Sequence, residues 1–218
     1  MTKRRSYRDQ CGIARALDTM GDRWALLIVR ELMLGPKRFS ELRAGLPRIG
    51  PDVLSQRLRE LEGADIVRQN ELAAETAVNV YELTDRGRAL EPVLLALGRW
   101  GSAQPMPAQT AAFSPDSAIL ALKTMFGPTR ADVLDGRLAL TLAGVPFTVT
   151  IRDGELDVAR GEARAPDAAL DTDPGPLAAI VWHGLDLDAA IGAGLVRLGG
   201  SRPDAERMLA AFRNGTGE

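Results

Sequence analysis

Four polar residues, Asp52, Ser55, Gln56 and Arg59, alternate with Leu54, Leu58 and Leu61 in the segment 51–62. Wound at 3.6 residues per turn, the leucines form one narrow stripe and the polar residues lie opposite it. Glutamine and arginine can each make paired hydrogen bonds to a base edge in the major groove, Gln to adenine and Arg to guanine. Such a helix could therefore read DNA sequence. A polar outer face is also what any amphipathic surface helix shows, so the neighbouring residues must decide. Just upstream lie Lys37, Arg38 and Arg43, and Lys3, Arg4 and Arg5 stand near the N-terminus. These six bases are the set expected to neutralise phosphate, and each also reads as an ordinary solvated surface charge.

Other chemistries lack parts. One cysteine (Cys11) and one histidine (His183) give no metal-ligand cluster and no nucleophile–base pair, so neither an enzyme, a metal nor a cofactor is expected. The stretches 192–194 and 199–200 carry glycines without a phosphate-loop Lys-Ser pair and read as turns. Asp and Glu are plentiful, which leaves a carboxylate site open.

The 218 residues suit two domains, and 45% apolar with 26% charged residues is a globular composition. No run approaches the roughly 18 apolar residues of a membrane span, and the basic first ten residues have no apolar run behind them. A cytoplasmic protein without membrane contact is expected, and a lone cysteine suits a reducing compartment. The net charge of -2 divides unevenly: residues 1–102 hold 17 Lys+Arg against 14 Asp+Glu, whereas 103–218 hold 10 against 15. An anionic partner belongs with the first half.

The elements that would position the reading helix follow from periodicity and breakers. Helices are expected over 13–20, over 23–34 up to Gly35-Pro36, and over 39–44 with Ser40 and Glu41 near its start. A turn at 46–50 leads to Pro51 at the first position of the reading helix, and Gly63 lies past its end. Strands over 67–72 and 78–83 form a hairpin, and a helix over 84–100 is kinked at Pro92. Short helix, turn, helix and hairpin together make a winged helix-turn-helix. Trp24 and Trp100 lie in apolar helical runs and read as core or dimer packing. The stripe Leu90, Val93, Leu94, Leu97 and Trp100 asks for a second copy to cover it, hence a homodimer.

Three motifs in this half, Gly-Asp-Arg-Trp at 21–24, Arg-Phe-Ser-Glu-Leu at 38–42 and Leu-Ser-Gln-Arg-Leu-Arg-Glu-Leu at 54–61, resemble the HxlR family of winged-helix regulators, which are related to the MarR type. The resemblance covers residues 8–101. It implies that 51–62 is the recognition helix and that dimers form through the first and last helices of the domain. It also implies a frequent cysteine at position 11, which some members use to sense oxidants or electrophiles. Arg8 and Arg15 are near Cys11 in sequence, and the competing reading is a small buried residue in the helix cap. The wing tip departs from the family: 71–78 carries two acids and no base, so a strong wing contact with phosphate is not expected.

A proline-containing, uncharged connector at 103–115 separates this domain (1–102) from a second one (116–218). There the pattern becomes α+β: a helix over 117–126, strands over 137–142, 147–151, 156–159 and 168–172, and helices over 177–183 and 203–212, with Asp153-Gly154 as a hairpin turn. The run 166–212 resembles the sterol-carrier-protein-like fold. That resemblance implies an apolar tunnel, for which Leu177, Ile180, Val181, Trp182, Leu195, Met208 and Phe212 are the candidate lining; each also reads as plain core.

The expected protein is an α+β chain, a winged helix-turn-helix followed by a smaller sterol-carrier-like domain. Its expected function is a homodimeric regulator of the HxlR type, a repressor that binds double-stranded DNA and answers to an apolar effector. Two alternatives stand beside it. One is an apolar-ligand carrier with a vestigial DNA domain; the other is a constitutive DNA-binding protein whose second domain is structural.

Overall fold

The computed structural model describes residues 6–72, 78–105, 113–127 and 134–213. The chain divides into two compact units, Met1–Leu94 and Leu95–Glu218.

In the first unit α1 (Gly12–Met20), α2 (Ala25–Leu32), α3 (Phe39–Gly45) and α4 (Pro51–Gly63) precede an antiparallel pair, β1 (Val67–Leu72) and β2 (Val78–Leu83). One apolar core unites them: Ile28, Val29 and Leu32 of α2, Leu42 of α3, Leu54, Leu58 and Leu61 of α4, and Val67 and Leu83 of the strands. Leu46 and Ile49 anchor the turn between α3 and α4 in the same core. The start of α3 differs from expectation. Arg38, not Ser40, is its N-cap, and its backbone N–H donates to the Glu41 carboxylate at 2.6 Å.

The helix expected over 84–100 is two helices, α5 (Asp85–Arg88) and α6 (Glu91–Ser102). Thr84 caps α5 by accepting from the Gly87 N–H at 3.1 Å. Pro92 has no N–H to return to the carbonyl four residues earlier and its ring crowds that carbonyl, so the chain breaks at Ala89 and Leu90 rather than kinking.

The second unit holds a five-stranded sheet in the order β5-β4-β3-β6-β7, built from β3 (Gly136–Leu142), β4 (Val145–Arg152), β5 (Glu155–Arg160), β6 (Ala168–Thr172) and β7 (Val196–Gly200). Only the β3–β6 pairing is parallel. Asp153 and Gly154 take φ values of 50° and 77°, the left-handed pair of a tight hairpin turn. Buried residues alternate with half-buried ones along β3, β4 and β6, the pattern of a sheet covered on one face. The helices are α7 (Pro115–Met125), α8 (Pro174–Trp182), α9 (Leu187–Gly192) and α10 (Arg202–Ala210). Two expectations fail here. Helix α9, capped by Asp186, is not among the expected elements, and Gly199 and Gly200 are strand residues paired with Ala169 and Ala168 instead of a turn.

Candidate nucleic-acid interface

Helix α4 is fixed from one side only. Leu54, Leu58 and Leu61 are 0%, 1% and 2% exposed. On the opposite side Asp52, Gln56 and Arg59 are exposed, with Ser55 half-buried at the flank. Gln56 donates to Glu60 at 3.0 Å, one turn along the helix. Arg59 makes no ion pair among the described residues and borders the hairpin. Burial, and next the Glu62 carboxylate, raise the Tyr81 hydroxyl above its ordinary value, while Arg59 pulls it down.

A second arginine of α4, Arg57, is committed elsewhere. Its guanidinium pairs with Asp22 in the turn after α1 and with Glu60 of its own helix. Asp22 and Arg57 thereby tie the Gly-Asp-Arg-Trp segment to α4 across 35 positions of sequence.

Of the bases expected to meet phosphate, Arg38 and Arg43 are exposed around α3. Lys37 is not. It is only 6% exposed, and its ammonium donates to the Glu31 carboxylate at 2.7 Å. The other oxygen of Glu31 accepts two bonds from Arg30, at 2.8 and 3.2 Å, and Glu31 is itself fully buried. A Cβ on Gly45 would run into this carboxylate, so the end of α3 closes over it. The Lys37 backbone also exchanges hydrogen bonds with Tyr81, at 2.9 and 2.8 Å, which joins the α2–α3 connection to the hairpin. Lys37 is therefore withdrawn from the DNA-contact set: its charge is used inside the protein. Arg48, in the turn between α3 and α4, is exposed and was missed by sequence reading. The signal was present, since a turn between two arms of a helix-turn-helix must face outward.

Wing residues 73–77, and the bases Lys3, Arg4 and Arg5, lie outside the described residues. Where the wing strands are described, Arg68 donates to Glu82 across the pair at 2.7 Å. That bond holds the Glu82 carboxyl below its ordinary value, against the opposing effect of burial.

Cys11 is a free thiol, exposed at the N-cap of α1, and not the buried cap residue of the competing reading. Trp24 is half-buried against the first core. In the second unit Leu177, Ile180, Val181, Met208 and Phe212 are all buried. Trp182 is half-buried, its indole N–H donating to the Phe212 carbonyl at 3.0 Å. Leu195 does not join them. At 46% exposure, beyond the Gly194 turn (φ 70°), its side chain is turned out to solvent, which removes it from any lining.

Comparison with known proteins falls mainly on the unit that carries this interface. The family described as HxlR-like helix-turn-helix matches residues 19–109. The uncharacterized HTH-type transcriptional regulator YvaP of Bacillus subtilis (strain 168) is 43% identical over 89 residues, 40% of this chain and 82% of that protein. The chain belongs to the HxlR-like helix-turn-helix family. The HTH-type transcriptional regulator YodB of the same organism is 37% identical over 95 residues, 44% of this chain and 85% of its own length. Among solved structures, the redox regulator HypR in its oxidized form shares 33% identity, with a TM-score of 0.42 over 44% of this chain and all of that one. As an HxlR-like protein, the chain is a DNA-binding transcriptional regulator, and the family match takes in α2 to α6 and the hairpin between them. No described helix is long and apolar enough to cross a membrane.

Proposed function

We propose that two copies of this chain bind a palindromic operator and repress transcription by occupying it. In this reading α4 enters the major groove, where Gln56 and Arg59 read base edges from its outer face, flanked by Asp52 and Ser55. Arg38, Arg43 and Arg48 hold the phosphate backbone. The observation that carries the proposal is the division of α4 into a leucine face sealed in the core and a polar face on which Asp52, Gln56 and Arg59 are exposed among the described residues. Dimerisation is supported by apolar side chains left open at helical spacing: Ile13 and Leu17 on α1, and Val93, Leu97 and Trp100 on α6, from 46% to 73% exposed. The test selects duplexes from a randomised library with the full-length protein and sediments the free protein. A dimer and an inverted repeat with half-site centres about 34–36 Å apart, or a multiple, are expected. A micromolar monomer, or selection without symmetry, contradicts it.

An exposed Cys11 favours a second reading, control of DNA release by thiol oxidation. Oxidant should then release the wild type and leave Cys11→Ser bound, whereas equal release of the two proteins rejects it.

The sterol-carrier-like reading of the second unit stands with this proposal, supported by its five-stranded sheet with helices on one face. Its candidate lining is packed as core, so an apolar effector would have to open that core and move Trp182. Unchanged Trp182 fluorescence across a panel of lipids and aromatics leaves the unit a structural module.

A further inference from the structure

One residue of α4 has no place in either of its two faces. Val53, at the third helical position, is 40% exposed and belongs neither to the leucine stripe nor to the polar set. The other large apolar side chains exposed in the described part of the first unit are Tyr7, before α1, Ile13 and Leu17, on α1, and Val93, on α6; Val53 stands apart from them on α4. Valine is a poor choice for an open helix surface: its branched side chain loses rotamer freedom in a helix, and exposure returns no burial in exchange.

Its position explains it. Val53, Gln56 and Arg59 follow one another at three-residue steps, so they form a single oblique row on the exposed side of the helix, rising about 4.5 Å per step. In zinc-finger recognition helices, residues about three apart contact successive bases, so neighbouring members of such a row can address neighbouring pairs. Val53 is the N-terminal member, and the N-terminal residues of a recognition helix are those that meet base edges. At its side, the next arginine one turn along, Arg57, is held by Asp22 and Glu60 and leaves no competing reader there. Two γ-methyl groups can neither donate nor accept a hydrogen bond. The one feature of the major groove that complements them is the C5-methyl of thymine.

We propose that Val53 is a specificity-determining residue that reads a thymine methyl, beside the base pairs read by Gln56 and Arg59. The inference rests on the reading of α4 as the recognition helix. The test uses full-length protein and the duplex that wild type selects from a randomised library, with each thymine replaced in turn by deoxyuridine, which removes only the C5-methyl. At one thymine per half-site the replacement should weaken wild-type binding about fourfold, the effect of losing one buried methyl-sized group. Val53→Ala, which keeps one methyl but lacks the two that reach furthest, should shrink the thymine–deoxyuridine difference, while Gln56→Ala keeps it in full. Val53 is exposed, so its truncation should leave the melting temperature unchanged. Wild-type indifference to every replacement, or a methyl effect undiminished in Val53→Ala, overturns the assignment. If Gln56→Ala and Arg59→Ala both select the wild-type consensus, the recognition-helix reading itself fails. If they shift the consensus and the methyl effect is absent, only Val53 is misassigned.

Discussion

The corner beneath α3 and the outer face of α4 are both built from charged and polar side chains, yet they do opposite things. At the corner, Arg30, Glu31 and Lys37 satisfy one another at 2.7 to 3.2 Å, with Glu31 fully buried and Gly45 closed over it. On α4, Arg59 has no ion-pair partner among the described residues and faces solvent, and Gln56 engages only a neighbour on its own helix. A cation whose donors are already used inside the fold has nothing left to offer a phosphate. A guanidinium held by a rigid helix with its donors open has all of them available. The corner sets the stance of α2, α3 and the hairpin; the outer face is what that stance presents.

The largest way to break this contrast is to open the corner. Glu31→Ala removes the buried carboxylate that Arg30 and Lys37 share and should lower stability by about 3–5 kcal/mol in denaturant unfolding. The double replacement Glu31→Leu with Lys37→Met should recover most of that loss, because the one cation left without Glu31 is then Arg30, whose side chain is 22% exposed and can be hydrated. A cost below about 1 kcal/mol for Glu31→Ala would mean that the corner is hydrated. Arg57 is the intermediate case, 17% exposed between two carboxylates. Arg57→Ala should destabilise by about 1–2 kcal/mol, and an unchanged midpoint would show that the Asp22 tie holds nothing. Arg43 and Lys37 sharpen the comparison through salt. Arg43→Ala should reduce the slope of log affinity against log salt by about 0.9 per protomer, as loss of one phosphate contact does, while Lys37→Met leaves the slope unchanged when measured where it remains folded. A matching drop for Lys37→Met would place its charge on DNA after all.

The smallest effect concerns acid. Glu82 titrates below its ordinary value of 4.5 because Arg68 donates to it. A carboxylate with a lowered folded value contributes stability that is complete above its unfolded value and is lost as pH falls through the folded one. Arg68→Met should therefore be less stable than wild type at neutral pH by under about 1 kcal/mol, and the difference should disappear on acidification. A difference that persists in strong acid would assign the effect to packing of the Arg68 stem.

What was legible in the sequence was local. The α3–turn–α4 arrangement follows from Gly35-Pro36, Pro51 and the spacing of three leucines, and the hairpin strands β1 and β2 came out at their expected bounds. What was not legible depends on partners set by the fold. Lys37 and Arg38 are adjacent bases with the same propensities, and only the position of Glu31 decides that one is buried and the other open. The parallel pairing of β3 with β6 joins strands separated by two others, and no local signal encodes it. Helix α9 is six residues long and ends in Gly192, too short for a periodic apolar stripe to mark it. Val53 was overlooked because an apolar residue in an amphipathic helix is assumed to face inward.

The measurement closest to the central claim, that the open face of α4 reads base sequence, is Arg59→Ala assayed on the selected duplex and on a scrambled duplex of equal length. The account predicts an unchanged melting temperature, a loss of about 1–3 kcal/mol per half-site on the selected duplex, and almost none on the scrambled one. An equal loss on both duplexes would make Arg59 a phosphate contact and contradict the assignment of the reading face.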